Sequence, residues 1–200
     1  MPPVLEAAGL DCERGGRTLF RGLSFSLTGG ELLRIAGANG SGKTSLLRML
    51  CGLLAPAAGE VRWKGAPIGE LREEYFRELV YIGHAPAVKD DLTAAENLAF
   101  ACALSGVSAE VGEALHRLRV PAERPVKHLS QGQRRRAALA RLALSAQVPL
   151  WLLDEPFTAL DAQGIELLKG VLSAHVQAGG AVAYATHQAH GLAETRVIEL

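Results

Sequence analysis

The sequence predicts an α/β protein: a mostly parallel sheet covered by helices, accompanied by an antiparallel β subdomain and a small α-helical insert. Three observations carry that expectation. The glycine-rich turn Gly37-Ala38-Asn39-Gly40-Ser41-Gly42-Lys43-Thr44 stands between a strand pattern and a helix pattern. Two short, continuously apolar runs, residues 150–153 and 181–185, read as strands buried on both faces, the second continuing to Thr186. Strand and helix patterns alternate on either side of residues 85–129, where helical periodicity appears with no strand pattern.

Taken in order, residues 4–11 and 23–27 alternate apolar with polar or small side chains, which suits two antiparallel strands. Residues 31–36 form the strand that enters the glycine-rich turn, and residues 43–54 the helix that leaves it. Residues 60–64 make a short strand opened by Gly59 and closed by a Gly65-Ala66-Pro67 turn. A helix is expected over 70–78 and a buried strand over 79–82, ending at Gly83. Thr93 and Glu96 have capping-box spacing and start a helix through about residue 104. Val111, Leu115 and Leu118 share one helical face. Ser130 then caps a helix to about residue 146, and Asp161 caps one to Gln177. Residues 196–200 finish as an edge strand. The chain is expected to be one domain, with residues 1–84 and 130–200 as core and 85–129 as the helical subdomain.

Composition narrows the function classes. Two hundred residues suffice for a sizeable core. Twenty-one basic and twenty-one acidic residues cancel, so no overall field draws the protein to nucleic acid. No apolar stretch approaches the ~20 residues of a spanning helix, and Met-Pro-Pro opens without a secretory pattern. Cys12, Cys51 and Cys102 are an odd set without close pairing, as expected of reduced thiols. Arginine outnumbers lysine and only Asn39 and Asn97 are asparagines, which fits either heat adaptation or base-composition bias.

The turn at 37–44 satisfies every position of the phosphate-loop pattern G-x-x-x-x-G-K-[ST]. Its glycines let consecutive N–H groups converge on one anion, and the following helix directs its positive end there. Gly37, Ala38, Asn39, Gly40, Ser41, Gly42, Lys43, Thr44 and Ser45 are therefore expected to hold a nucleoside triphosphate. Lys43 supplies a mobile charge and the Thr44 hydroxyl a ligand for Mg²⁺. The strand over 150–153 ends in Asp154 and Glu155. Beside a phosphate loop, Asp154 is placed to join the Mg²⁺ shell and Glu155 to orient or deprotonate an attacking water.

Leu129-Ser130-Gln131-Gly132-Gln133 reads locally as a capping box at a helix tip, whose bare N–H groups also suit an anion. His187, after the apolar run 181–185, reads alone as a polar strand cap. His187 and His190 have i, i+3 spacing without a further metal ligand nearby. Arg134-Arg135-Arg136 project about 100° apart on a helix, and are expected at the surface, open to partner contacts.

The order of these motifs, over nearly the whole chain, resembles that of the ABC ATPases. The resemblance implies a RecA-like P-loop core and an ATP- and Mg²⁺-dependent ATPase. It also implies a homodimer in the ATP-bound state, with Ser130, Gly132 and Gln133 completing the partner's site. Asp161, in Thr158-Ala159-Leu160-Asp161, resembles the loop joining the two sites; His187 resembles the residue that senses the γ-phosphate. Two departures stand out. Arg14, by its spacing from Leu10, holds the place of the adenine-stacking aromatic, and a guanidinium can also stack on a base. Tyr81-Ile82-Gly83-His84-Ala85-Pro86 lacks the family's glutamine, with His84 or a water beside Ala85 as possible substitutes and His84 expected to be buried and non-catalytic.

Cys12-Glu13-Arg14, the stretch from Arg17 to Phe25, Tyr81-Ile82-Gly83-His84, and residues 129–136 and 151–161 more narrowly resemble ATP-binding subunits of the heme exporters of cytochrome c maturation. The short stretch after His187 fits as well. That resemblance implies a peripheral subunit at the cytoplasmic face of the inner membrane, bound to integral-membrane partners of a heme-export complex, with no nucleic acid. Another small-substrate exporter, or a non-transport ABC ATPase of DNA repair or translation, is the alternative. The absence of sustained heptads between Lys43 and Ser130, and a single cassette, weigh against the latter.

Overall fold

A computed structural model describes residues 4–106 and 110–200. Two sheets organise the chain. The antiparallel one has the order β2-β1-β4-β5, from β1 (Leu5–Arg14), β2 (Arg17–Leu27), β4 (Ala58–Trp63) and β5 (Ala66–Pro67). The parallel one has the order β6-β7-β8-β3-β9, from β3 (Leu32–Ala36), β6 (Leu79–Ile82), β7 (Leu150–Asp154), β8 (Ala181–Ala185) and β9 (Arg196–Glu199). Among the described residues β9 pairs with β3 alone and is the expected edge strand.

The helices are α1 (Lys43–Leu50), α2 (Ile68–Leu71), α3 (Glu73–Arg77), α4 (Ala94–Leu104), α5 (Val111–Arg117), α6 (Gln131–Ala143) and α7 (Ala162–Gln177). α4 and α5 lie in the stretch expected to be helical, where Thr93 and Pro125 form an isolated β-bridge.

All five residues of both β7 and β8 are buried, which explains their unbroken apolar sequence. Alternation splits them between two cores. Trp151, Leu153, Val182 and Tyr184 pack with α4, α5, α6 and α7. Leu150, Leu152, Ala181, Ala183 and Ala185 pack with α1 and the antiparallel sheet. The site-bearing ends of β3, β7 and β8 are thereby braced from both faces.

Several boundaries differ from the sequence reading, each for a local reason. β2 begins at Arg17, because pairing with β1 extends the hairpin through mostly exposed residues that carry no alternation. Ala66–Pro67 continues past the turn into β5, an edge position that tolerates a residue without an N–H. The helix expected over 70–78 breaks at Arg72, whose φ of 30° no continuous helix accommodates. α1 and α6 end at Leu50 and Ala143, before the apolar pattern runs out.

Candidate functional site

The phosphate loop takes a conformation that its glycines permit. Gly37, Gly40 and Gly42 have φ of 146°, 86° and 110°. A side chain on Gly37 would also meet the Ser41 hydroxyl at 2.6 Å and the Leu200 carbonyl at 2.7 Å. Gly42 is the N-cap of α1 and offers no side-chain acceptor, so the first N–H groups of that helix face the loop unclaimed by a cap. Lys43 is buried and its Nζ donates to the carbonyls of Gly37 at 2.7 Å and Ala38 at 2.9 Å. The ammonium thus sits inside the loop's own curve. Asn39 and Gly40 are exposed at the rim, and Ser45 lies in the first turn of α1.

Thr44 Oγ1 donates toward both oxygens of Asp154, at 3.1 and 2.9 Å, linking α1 to the end of β7. Asp154 is 1% exposed, and this hydroxyl–carboxylate pair is an all-oxygen donor set of the kind Mg²⁺ selects. The chain turns sharply at the next residue, Glu155, whose φ of 46° is rare for a side chain-bearing residue. That turn aims the Glu155 carboxylate at His187, beyond the end of β8; Nδ1 lies 3.1 and 3.2 Å from its two oxygens. An ionised carboxylate only accepts, so this geometry puts the imidazole proton on Nδ1 and leaves Nε2 free. Burial, and then the charge of Asp154, push the Tyr81 hydroxyl of β6 above the usual tyrosine range.

Ser130 and Gln133 form the expected capping box at α6: Ser130 Oγ accepts from Gln133 N at 3.2 Å, and Gln133 Oε1 accepts from Ser130 N at 3.0 Å. A side chain on Gly132 would stand 2.9 Å from the Ala159 carbonyl, so the helix tip presses on residues 158–161 of its own chain. Asp161 caps α7 through Gly164 N at 2.8 Å and accepts from Arg136 Nη1 at 2.9 Å. The structure therefore brings Lys43, Thr44 and Asp154 together, and Glu155 with His187. Ser130, Gly132 and Asp161 gather around a separate contact.

Arg14 faces Arg17 across the exposed tip of the β1–β2 hairpin. The hairpin residues that touch the phosphate loop are instead Leu19 and Phe20, within 3.3 Å of where a Gly42 side chain would begin. Two expectations need correction. His84 is exposed rather than buried, because the chain leaves β6 at Gly83 into an open segment. Arg135 is buried, at 3% exposure, while its neighbours Arg134 and Arg136 reach Asp90 and Asp161. The signal for Arg135 was its spacing from Leu139 and Leu142, which puts it on the inward face of α6.

Phosphate loop after β3, a carboxylate-ended strand β7 that stands one strand away with β8 between rather than directly beside it, and an acid–imidazole pair beyond define a P-loop nucleoside triphosphatase. The sequence profile of the ABC transporter family matches residues 20–158, and the chain belongs to that family as an ATP-binding, ATP-hydrolysing subunit. It is 54% identical over 191 residues to the cytochrome c biogenesis ATP-binding export protein CcmA of Aromatoleum aromaticum, covering 93% of this chain and 89% of that one. The protein of the same name from Escherichia coli is 48% identical over 196 residues, with 97% and 94% covered. The dimeric structure of MJ0796, a bacterial ABC transporter cassette, superposes with a TM-score of 0.83 at 25% identity, covering 98% and 94% of the two chains.

Proposed function

We propose that this chain is the ATPase of an exporter serving cytochrome c biogenesis, and that its turnover drives heme delivery through an integral-membrane partner. The names of its relatives support the assignment to cytochrome c biogenesis. Heme is the group covalently fixed to c-type cytochromes, which makes it the fitting cargo. No described helix is long and apolar enough to cross a membrane. The exposed side chains Phe100 and Leu104 on α4 supply apolar surface for a partner that does, and a cytoplasmic-face location fits an ATP consumer.

The hydrolytic reading rests chiefly on one observation, the Glu155–His187 pair set directly beyond the Thr44–Asp154 contact. The amides of residues 37–45 and Lys43 Nζ would bind the triphosphate, Lys43 exchanging its loop carbonyls for phosphate oxygens. Thr44 and Asp154 would hold Mg²⁺, which when bound neutralises charge building on the phosphates. Glu155 takes a proton from, or orients, the attacking water, while His187 holds that carboxylate through Nδ1 and offers Nε2 to the γ-phosphate. In the ATP-bound homodimer, Ser130, Gly132 and Gln133 contact the nucleotide of the partner subunit, and Asp161 sits where the two sites meet. The ATP thereby stabilises the dimer by mass action, and its hydrolysis releases the clamp. Arg14 at the hairpin tip is the candidate for stacking on adenine.

Production of covalently hemylated cytochrome c in cells depending on this chain tests the function. Replacement of Glu155 by Gln should abolish it; undiminished hemylation would reject the reading, and co-purification with a ribosome or DNA would favour a non-transport ATPase.

A further inference from the structure

Arg135 lies in the second turn of α6 and is buried, although no carboxylate pairs with it directly. Its guanidinium instead donates to five backbone carbonyls. Nη1 reaches Gly83 at 2.9 Å and His84 at 3.1 Å, Nη2 reaches Asp154 and Glu155 at 2.8 Å each, and Nε reaches Pro156 at 3.4 Å. All three nitrogens are occupied, and the carbonyls belong to two chain segments that leave neighbouring parallel strands, β6 and β7.

The position of these acceptors matters more than their number. Asp154 and Glu155 carbonyls flank the residue with φ of 46°, so the guanidinium fixes the peptide planes on both sides of the turn that aims the Glu155 carboxylate. Gly83 and His84 lead into the helical insert, and α6 itself begins at Gln131 with Ser130 as its N-cap. One side chain therefore joins the start of the insert, the tip of α6 and the backbone of the acid. Burying a cation without a direct counter-ion is costly, and an apolar side chain of equal length would pack there more cheaply. Burial does depress the Arg135 pKa, opposed by the charges of Asp154 and Glu155. Its planar fork, unlike the ammonium of lysine, can serve divergent carbonyls together.

We propose that Arg135 is a positioning residue for hydrolysis, locking the backbone of Glu155 to Gly83 and His84, the residues that lead into the helical insert. This rests on the reading of Glu155 as the group that activates water. It also offers a route by which movement of the insert reaches the acid in a chain whose stretch Tyr81–Pro86 lacks the family's glutamine.

The test uses the full chain with Mg-ATP, measuring kcat, KM and ATP affinity for R135M, R135K and both changes in an E155Q background. We expect R135M to lower kcat by about tenfold or more with ATP affinity within about threefold of the parent, and R135K to recover part of the rate. In the E155Q background, R135M should cause little further loss, because the two residues act as one unit. Should R135M fail to fold, R135Q keeps donors for part of the carbonyl set and carries the same expectation. Unchanged kcat with only a lower melting temperature overturns the proposal, as does loss that adds fully to that of E155Q. Normal hydrolysis by E155Q alone would instead reject the reading of Glu155, which separates the two failures.

Discussion

Replacing Lys43 with Met keeps the length of the side chain and removes its charge. In the structure the ammonium makes two short hydrogen bonds, 2.7 and 2.9 Å, to the carbonyls of Gly37 and Ala38. The same donors are available to phosphate oxygens at the start of α1. A hydrogen bond from a charged group contributes about 1.5–3 kcal/mol, so two directed at phosphate amount to about 3–6 kcal/mol. That predicts an ATP Kd weakened by about 10²- to 10⁴-fold. The two orphaned carbonyls belong to residues that water reaches, so the melting temperature should fall by no more than about 2–4 °C, the shift expected for 1 kcal/mol in a chain of this size. Titration calorimetry with ATP, beside a thermal melt, measures both. A variant that melts normally and binds ATP within tenfold of the parent would refute the placement of Lys43 at the phosphates.

His187→Ala frees the Glu155 carboxylate from its ring partner, and kcat should drop by about 10²-fold or more with KM little changed; a KM effect alone would contradict that role. Gly180→Ala would drive its methyl into Nε2 of His175, a buried ring stacked on Trp151 at 3.6 Å that has little freedom to yield. Overpacking there should destabilise by about 1–3 kcal/mol, and an unchanged melting temperature would show that the ring moves aside. The ring of His175 is buried, and burial depresses its pKa, partly offset by the carbonyls of Ala146 and Pro149. The unfolded chain therefore binds a proton that the folded one resists. Stability should be full above the ordinary histidine value of about 6.5 and decline as pH falls below it. His190 is depressed too and adds to the slope, so His175→Phe should flatten it in part; an unaltered slope would argue against a titrating His175.

Chemistry packed into consecutive residues was legible in the sequence. The phosphate loop needs its glycines, lysine and hydroxyl side by side, and β7 needs an apolar run followed by Asp154 and Glu155, so the string itself displays both. The capping boxes at Thr93 and Ser130 were equally local and have the expected bonds. What escaped depends on distant partners. Spacing from Leu139 and Leu142 separates Arg135 from Arg134 and Arg136, but the five carbonyls from two other segments that surround it leave no mark in its own stretch. The extension of β2 back to Arg17 is dictated by β1, not by alternation in its own exposed residues. The turn at Arg72 breaks a helix without glycine or proline, the two residues that usually announce a break. His84 is exposed, against expectation, because the chain has already left the sheet there.

The central claim is that ATP is held between two copies of this chain, each lending the Ser130–Gly132 end of α6 to the other's phosphate loop. Light scattering of the Glu155→Gln protein with and without Mg-ATP addresses it most directly. The account predicts a mass twice that of one chain with the nucleotide, reverting to one chain when Gly132 is also changed to a bulkier residue. A Glu155→Gln protein that binds Mg-ATP yet keeps the mass of a single chain at every concentration would contradict it.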